Sequence, residues 1–324
     1  MCLDRDEVAS PIPSQLVPQG LPKQPTFMSQ QLRNLLQSSL LADSLALGAH
    51  WIYGEGEVGK RFGLVNELLP NFEGGYHPGK TRGAQTHYGD QALLLWESLQ
   101  HTGHFALTDF AGRWQAFWKT SLSYRDKATK ATLAQLDSGV PVSEVGSDST
   151  ELGGAARLAP LFVAMFETSL ETQIVAARTQ TAFTHRSELV GDVAEYLTRI
   201  VYATLRGTDL ADAVESASRL DYGVLDASQL VEEAVYYSTQ PLAQLVPKFG
   251  QSCSTEQGLP MVLSLALRFK NDPVTALTEN VQIGGDSAAR GLVLGLLLGS
   301  AQTEDFLPVR WLNAWQAQSA IENL

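Results

Sequence analysis

A chain of 324 residues that is 44% hydrophobic has material for one large domain or two ordinary ones. Its formal charge of −12 excludes nucleic acid as the main partner, because phosphate binding is driven by Lys and Arg. Only Cys2 and Cys253 occur, which excludes a disulfide framework and a Cys-based zinc site, and no apolar stretch approaches the roughly 20 residues that span a bilayer. The N-terminus has no basic segment followed by an apolar one, so the expectation is a cytoplasmic protein that is not secreted.

Residues 1–27 hold five of the fourteen prolines, with Gln and Ser between them, and read as a disordered tail. Residues 28–324 read as a single domain. From Met28 to His50 the pattern is helical, with Leu32, Leu35, Leu36, Leu40 and Leu41 on one side and Asp43 inside the apolar run. A carboxylate there is costly to bury unless paired, so Asp43 is a ligand, a hydrogen-bond anchor or a solvent-facing turn residue.

Residues 54–90 lose periodicity and become rich in Gly, aromatic and basic residues, a composition more often functional than idle. This connection ends in Thr86-His87-Tyr88-Gly89-Asp90-Gln91, and a helix is expected from Ala92, with Asp90 at its entrance. His87 is a metal ligand, a general acid, a stacking group or a plain loop histidine. Tyr88 stacks on a ligand or fills the core.

Helical patterning continues almost to the C-terminus. A polar loop over 137–151 contains Ser149 and precedes Leu152-Gly153-Gly154, while Thr184-His185 reads as the opening of a further helix. Val and Ile never alternate with polar residues in the period of a strand. The chain therefore reads as one all-α domain.

Near the C-terminus, Gly284-Gly285-Asp286-Ser287 leads into an apolar run carrying Gly291, Gly295 and Gly299 at four-residue spacing. That spacing makes a flat stripe on a buried helix, which a neighbour can approach closely. Asp286 stands at the N-cap position. Such an end holds a cation through its carboxylate or an anion through free amides, or it is a capped core helix and nothing more. Two helix N-termini, marked by Asp90 and Asp286, are expected to meet head-on across a polar pit.

Four segments together resemble the ADP-ribosylglycohydrolases and their crystallin J1-like relatives. They are Leu41-Ala-Asp-Ser-Leu-Ala-Leu-Gly48, Gly153-Gly-Ala-Ala-Arg-Leu-Ala-Pro160, Thr184-His185, and Gly284-Gly-Asp-Ser287 with its striped helix. The resemblance implies an orthogonal multi-helix bundle, two magnesium ions, and cleavage of the glycosidic bond between ADP-ribose and a modified group. With the expected polar pit, Asp90, Asp286 and His87 are the catalytic candidates. Tyr88, Ser149, Gly153, His185, Gly284, Gly285 and Ser287 are its ligand-binding candidates, and Asp286, Asp90 and Asp43 its metal candidates.

The chain departs from the family's metal motifs. A Thr-Asp-Asp-Thr cluster is replaced by His87-Tyr88-Gly89-Asp90, and after Asp286 a second Asp and its Thr are replaced by Ala288 and Ala289. Mg²⁺ needs hard oxygen ligands in near-octahedral array, so at most one weakly held ion is expected. The resulting expectation is a hydrolase with a divergent metal site, acting on a small-molecule or ADP-ribosylated substrate. Its rival is a non-catalytic ADP-ribose-binding or crystallin-like structural relative.

Overall fold

The structure, a computed structural model, describes residues 28–322; the expected tail, 1–27, lies outside the described residues. Among them are sixteen α-helices and no strand, only two isolated bridges. The helices are α1 (Gln30–Ala46), α2 (Glu57–Phe62), α3 (His87–Thr102), α4 (Leu107–Thr120), α5 (Lys127–Asp137), α6 (Ala159–Ala164), α7 (Leu170–Ala182) and α8 (Glu188–Thr204). They continue with α9 (Leu210–Ser218), α10 (Ala227–Ser238), α11 (Leu245–Phe249), α12 (Thr255–Arg268), α13 (Pro273–Ile283), α14 (Ser287–Ser300), α15 (Val309–Ala314) and α16 (Gln318–Glu322). The all-α expectation holds. Most of the long helices start where a Ser, Thr or Asp side chain accepts from a backbone N–H of the first turn, as at Ser29, Thr86, Asp126, Ser254 and Asp286.

Every residue of α14 is buried, and its main partner is α1. The glycine stripe explains how close they lie. A methyl group added at Gly291 would stand 3.0 Å from the Ala42 carbonyl oxygen, at Gly295 2.3 Å from that of Ser38, and at Gly299 2.5 Å from that of Asn34. The order of these contacts makes the two helices antiparallel. Two buried serines of α1 reinforce the seam: Ser38 Oγ donates to the Gly295 carbonyl at 2.6 Å and Ser39 Oγ to that of Leu292 at 2.8 Å. The C-terminal end of α1 and the N-terminal end of α14 therefore lie together, and both ends carry an aspartate.

Two boundaries differ from the sequence expectation. Helix α3 begins at His87, because the Thr86 hydroxyl accepts from Tyr88 N at 3.2 Å and caps it. Asp90 is thus inside the first turn and not at the entrance. Thr184-His185 does not open a helix; α8 starts at Glu188, and the Thr184 hydroxyl is engaged by Arg157 and His185 Nδ1.

The seam makes a direct prediction. Gly295→Ala should cost about 1–3 kcal/mol in urea unfolding, the usual penalty of overpacking a tight contact. Gly112→Ala, on the exposed side of α4 with nothing within 4 Å of the added methyl, should leave stability unchanged or raise it by up to about 1 kcal/mol.

Candidate functional site

Three helix ends converge: the C-terminal turn of α1 and the N-termini of α3 and α14. Asp43 joins the first two. Its carboxylate accepts from Thr86 N at 2.7 Å and from Thr86 Oγ1 at 2.5 Å. With its amide turned so that both ends are satisfied, Gln85 also donates to Asp43 Oδ2 at 2.7 Å. Gly89 is required here, since a methyl group on it would lie 2.3 Å from that same oxygen. Asp43 is fully buried, and burial pushes its carboxyl up to about 7 against the Thr86 hydrogen bonds. Of the three readings open for Asp43, the geometry places it as a buried hydrogen-bond anchor.

The turn after α1 is tied to α14 through the glycine pair. Gly285 N donates to the Ile52 carbonyl at 2.7 Å, and Trp51 N donates to the Gly285 carbonyl at 2.9 Å. Gly284 and Gly285 have φ of 77° and 63°, and Trp51 at 62° is the one non-glycine residue with positive φ among the described residues. A bulky aromatic side chain in the left-handed region is strained, and such strain persists only where surrounding contacts hold it. The amides of Gly284, Gly285, Asp286 and Ser287 all donate to backbone carbonyls. The expected row of free amides for an anion is therefore not present at these four residues; the glycines hold the His50–Ile52 turn.

Around Asp286 the pit is lined by imidazoles. His50, His77 and His87 are buried, and each brings a ring nitrogen within 4.8 Å of the others. His77 Nε2 and His87 Nδ1 are 3.1 Å apart. His50 Nδ1 lies 3.7 Å from Asp286 Oδ1, and both His50 nitrogens lack a hydrogen-bond partner. His87 Nε2 lies 3.4 Å from Asp126 Oδ2, and the Tyr88 hydroxyl donates to Asp286 Oδ2 at 3.4 Å. Trp51 stacks on His50 at 4.3 Å, while Tyr76 and Tyr124 meet the Trp51 ring edge-on at 5.0 and 4.9 Å. Tyr76 is half exposed, so this aromatic rim opens to solvent.

Burial dominates the electrostatics. It holds His50 well below the ordinary imidazole value, assisted by the neighbouring His77 and His87, and takes His77 down to about 2. The same burial raises the Asp286 carboxyl, partly offset by the Arg290 and His87 charges. Glu151, half-buried, is raised by burial and by Asp126 and Asp286. Burial also works to raise Asp126, but its His87 contact and the charges of His87 and His185 bring it below the carboxylate range. Cys253 is pushed up by burial and then by Asp286 and Glu151. Carboxyls with opposite shifts thus share one water-poor site, the arrangement that separates acid from base roles.

Asp90 does not join Asp286. Its two oxygens accept from Lys80 Nζ, each at 2.7 Å, and Oδ2 also accepts from Ser123 Oγ at 2.6 Å, at the rim. Gly153 and Gly154 serve packing: methyl groups there would lie 2.4 Å from the Tyr88 ring and 2.6 Å from the His185 ring. His185 bonds Thr184 Oγ1 through Nδ1 at 2.9 Å and leaves a buried, unpartnered Nε2, and the Ser287 hydroxyl is likewise unpartnered. Ser149 Oγ accepts from Glu151 N at 3.3 Å in a loop that bridges to Ser254 and brings Glu151 towards Cys253. His50, His77, Asp126 and Glu151 were not singled out from the sequence. Three of the six histidines falling between residues 50 and 87 was the available signal.

The comparisons place this helical bundle among known proteins. The family model for ADP-ribosylglycohydrolase matches residues 25–324, and the chain belongs to that family. A solved structure titled "ADP-ribosylglycohydrolase-related protein complex" superposes with a TM-score of 0.70 at 22% identity, covering 91% of this chain and 96% of that one. No curated protein sequence matches. Among the described residues no helix is long and apolar enough to cross a membrane.

The anchor and the rim carboxylate should separate on mutation. Asp43→Ala strands a buried N–H and hydroxyl of Thr86, and chemical denaturation should show a loss of about 2–5 kcal/mol. Asp90→Ala removes a partly exposed pair and should cost about 1 kcal/mol or less.

Proposed function

We propose that the chain is a hydrolase of the ADP-ribosylglycohydrolase type, in a divergent branch akin to the crystallin J1-like relatives, cleaving a glycosidic bond to ADP-ribose at the Asp286 pit. What carries the reading is a buried carboxyl, Asp286, set where α1, α3 and α14 meet and beside the His50, His77 and His87 imidazoles, with Asp126 and Glu151 close enough to act on its surroundings. Glycosidic cleavage needs one group to protonate the leaving oxygen and another to activate water. Asp286, its carboxyl raised by burial, suits the group that gives a proton to the leaving oxygen. His87, aligned by Asp126, suits the partner that accepts one. Tyr88, Ser287 and His185 supply hydrogen-bonding atoms at the pit, and Trp51, Tyr76 and Tyr124 supply faces for a base or ribose. Asp90 acts at the rim by holding Lys80 and Ser123 in place.

Magnesium does not fit this donor set. Both Asp43 oxygens accept from Thr86, both Asp90 oxygens face Lys80, and Ala288 offers none, which leaves Asp286. One carboxylate holds Mg²⁺ weakly unless substrate phosphates complete the shell, and no step is routed through that ion. The substrate class that follows is a small molecule or protein carrying ADP-ribose. The acidic balance of the sequence and its having only two cysteines suit the cytoplasm.

The test is release of ADP-ribose from ADP-ribosylated conjugates by the full chain. Asp286→Asn should lower turnover by about 10²–10⁴-fold. Its stability should stay within about 0.5 kcal/mol, because Asn caps a helix as well as Asp. Turnover unchanged in that variant would remove Asp286 from the chemistry. ADP-ribose binding by the wild type without release from any conjugate would make the protein a non-catalytic relative.

A further inference from the structure

We propose that His50, His77 and His87 form a site for one borderline-soft divalent transition-metal ion, of the zinc or cobalt kind, in place of a magnesium centre. The inference concerns which ion the pit takes, and an ion there engages His87 Nδ1 and, at a fourth corner, Asp286, so in the loaded protein these two groups hold the ion in place of a proton.

The spacing comes first. Zinc binds imidazole nitrogen at about 2.0–2.1 Å in tetrahedral array, which sets neighbouring ligand nitrogens roughly 3.3 Å apart. His77 Nε2 and His87 Nδ1 already stand at 3.1 Å, and the nitrogen of His50 lies within 4.8 Å of both. A small ring movement of His50 completes three corners of the tetrahedron. A fourth corner can be Asp286, whose Oδ1 is 3.7 Å from His50 Nδ1.

His50 carries the second argument. Its side chain is buried, and neither ring nitrogen has a hydrogen-bond partner. A buried polar atom left unpaired is uncommon and costs free energy, and an imidazole has at least one nitrogen that must accept. The ring is not there by relaxation, because the next residue, Trp51, is held at a positive φ by its N–H bond to Gly285 and stacks on His50. Strain that fixes an unsatisfied imidazole beside two others points to a ligand.

The surroundings of His87 supply the third. With Nδ1 facing the cluster, its Nε2 faces Asp126 Oδ2 at 3.4 Å, and Asp126 is itself fixed by accepting from Thr129 N at 2.5 Å. A carboxylate behind a histidine is the usual outer support of a metal-bound imidazole; it sets the tautomer that leaves the inner nitrogen free to bind. Three nitrogen donors favour zinc-like ions over magnesium, which takes oxygen.

The experiment uses tag-free, full-length protein stripped of metal by a chelator and read without substrate, so its outcome is independent of any hydrolase assay. Co²⁺ alone should bind at one equivalent with the visible d–d bands of a low-coordinate nitrogen site. Zn²⁺ should displace it, and millimolar Mg²⁺ should not. His50→Gln and His77→Gln should each weaken binding by about 100-fold or more, and Asp126→Asn by about 10–100-fold. Absence of stoichiometric Co²⁺ or Zn²⁺ binding by the wild type would overturn the proposal, as would an unaltered cobalt spectrum in His50→Gln. Should a histidine variant fail to fold, X-ray absorption of the zinc-loaded wild type decides. Imidazole scattering supports the site, and a shell of oxygen alone, or one dominated by the Cys253 sulfur, refutes it.

Discussion

Where Gly295 of α14 meets the Ser38 carbonyl of α1, an added methyl group would lie 2.3 Å away, so these helices run closer than any larger side chain permits. That contact recurs at Gly291 and Gly299, which fixes both the register and the antiparallel sense of the pair. Register then decides what the ends do. Asp43, one residue beyond the Ala42 contact, and Asp286, at the cap of α14, are brought to the same end of the seam. Through Asp43 and Thr86 the seam also captures the start of α3, and with it His87 and Tyr88. A helix apolar on every face is thus the frame on which a polar site is mounted.

Such a site is stable only if its buried charges are answered. Two arginines do much of that work. Arg157, buried, donates to Gln91 and Thr184, and Gln91 in turn donates to the His87 carbonyl at 2.9 Å. Arg290, also buried, is held by the Asn280 side chain at 3.1 Å and by the Gly284 carbonyl, which leaves its positive charge beside Asp286. Both nitrogens of His50, Nε2 of His185 and Oγ of Ser287 are among the buried polar atoms left without a partner, as are atoms of Trp118, Gln180 and Gln282 elsewhere. What distinguishes His50 is that both of its ring nitrogens are unpartnered and that it stands beside two further buried imidazoles and a buried carboxyl.

The frame was legible in the sequence and the pit only in part, for a physical reason. Four-residue glycine spacing and leucines at helical intervals are local patterns, and the structure follows them into α14 and α1. Asp286 as a cap was legible too. The start of α3 was not, because His-Tyr-Gly-Asp has weak helix propensity; it becomes helical when Asp43, far away in sequence, binds the Thr86 N–H and only glycine fits beside that carboxylate. The partners of Asp90 were not legible either, since nothing local says that Lys80 and Ser123 will occupy it. His50, His77, Asp126 and Glu151 lie in aperiodic connections, and long-range contacts such as Trp51 to Gly285 bring them in.

Charge also shapes what the Asp286 pit can hold. A carboxylate in a water-poor pit must be balanced, and a site rich in carboxylates needs the charge of bound divalent ions to be tolerable. Here the position of a second aspartate is Ala288, and two residues on a guanidinium is buried beside Asp286. The pit therefore carries a counter-charge of its own for Asp286. Imidazoles add ligand atoms without adding negative charge, so three of them can line the same pit at no further electrostatic cost. Arg290 and the three imidazoles thus act on one place together: the guanidinium balances the Asp286 carboxylate, and the rings offer donor atoms that leave that balance undisturbed.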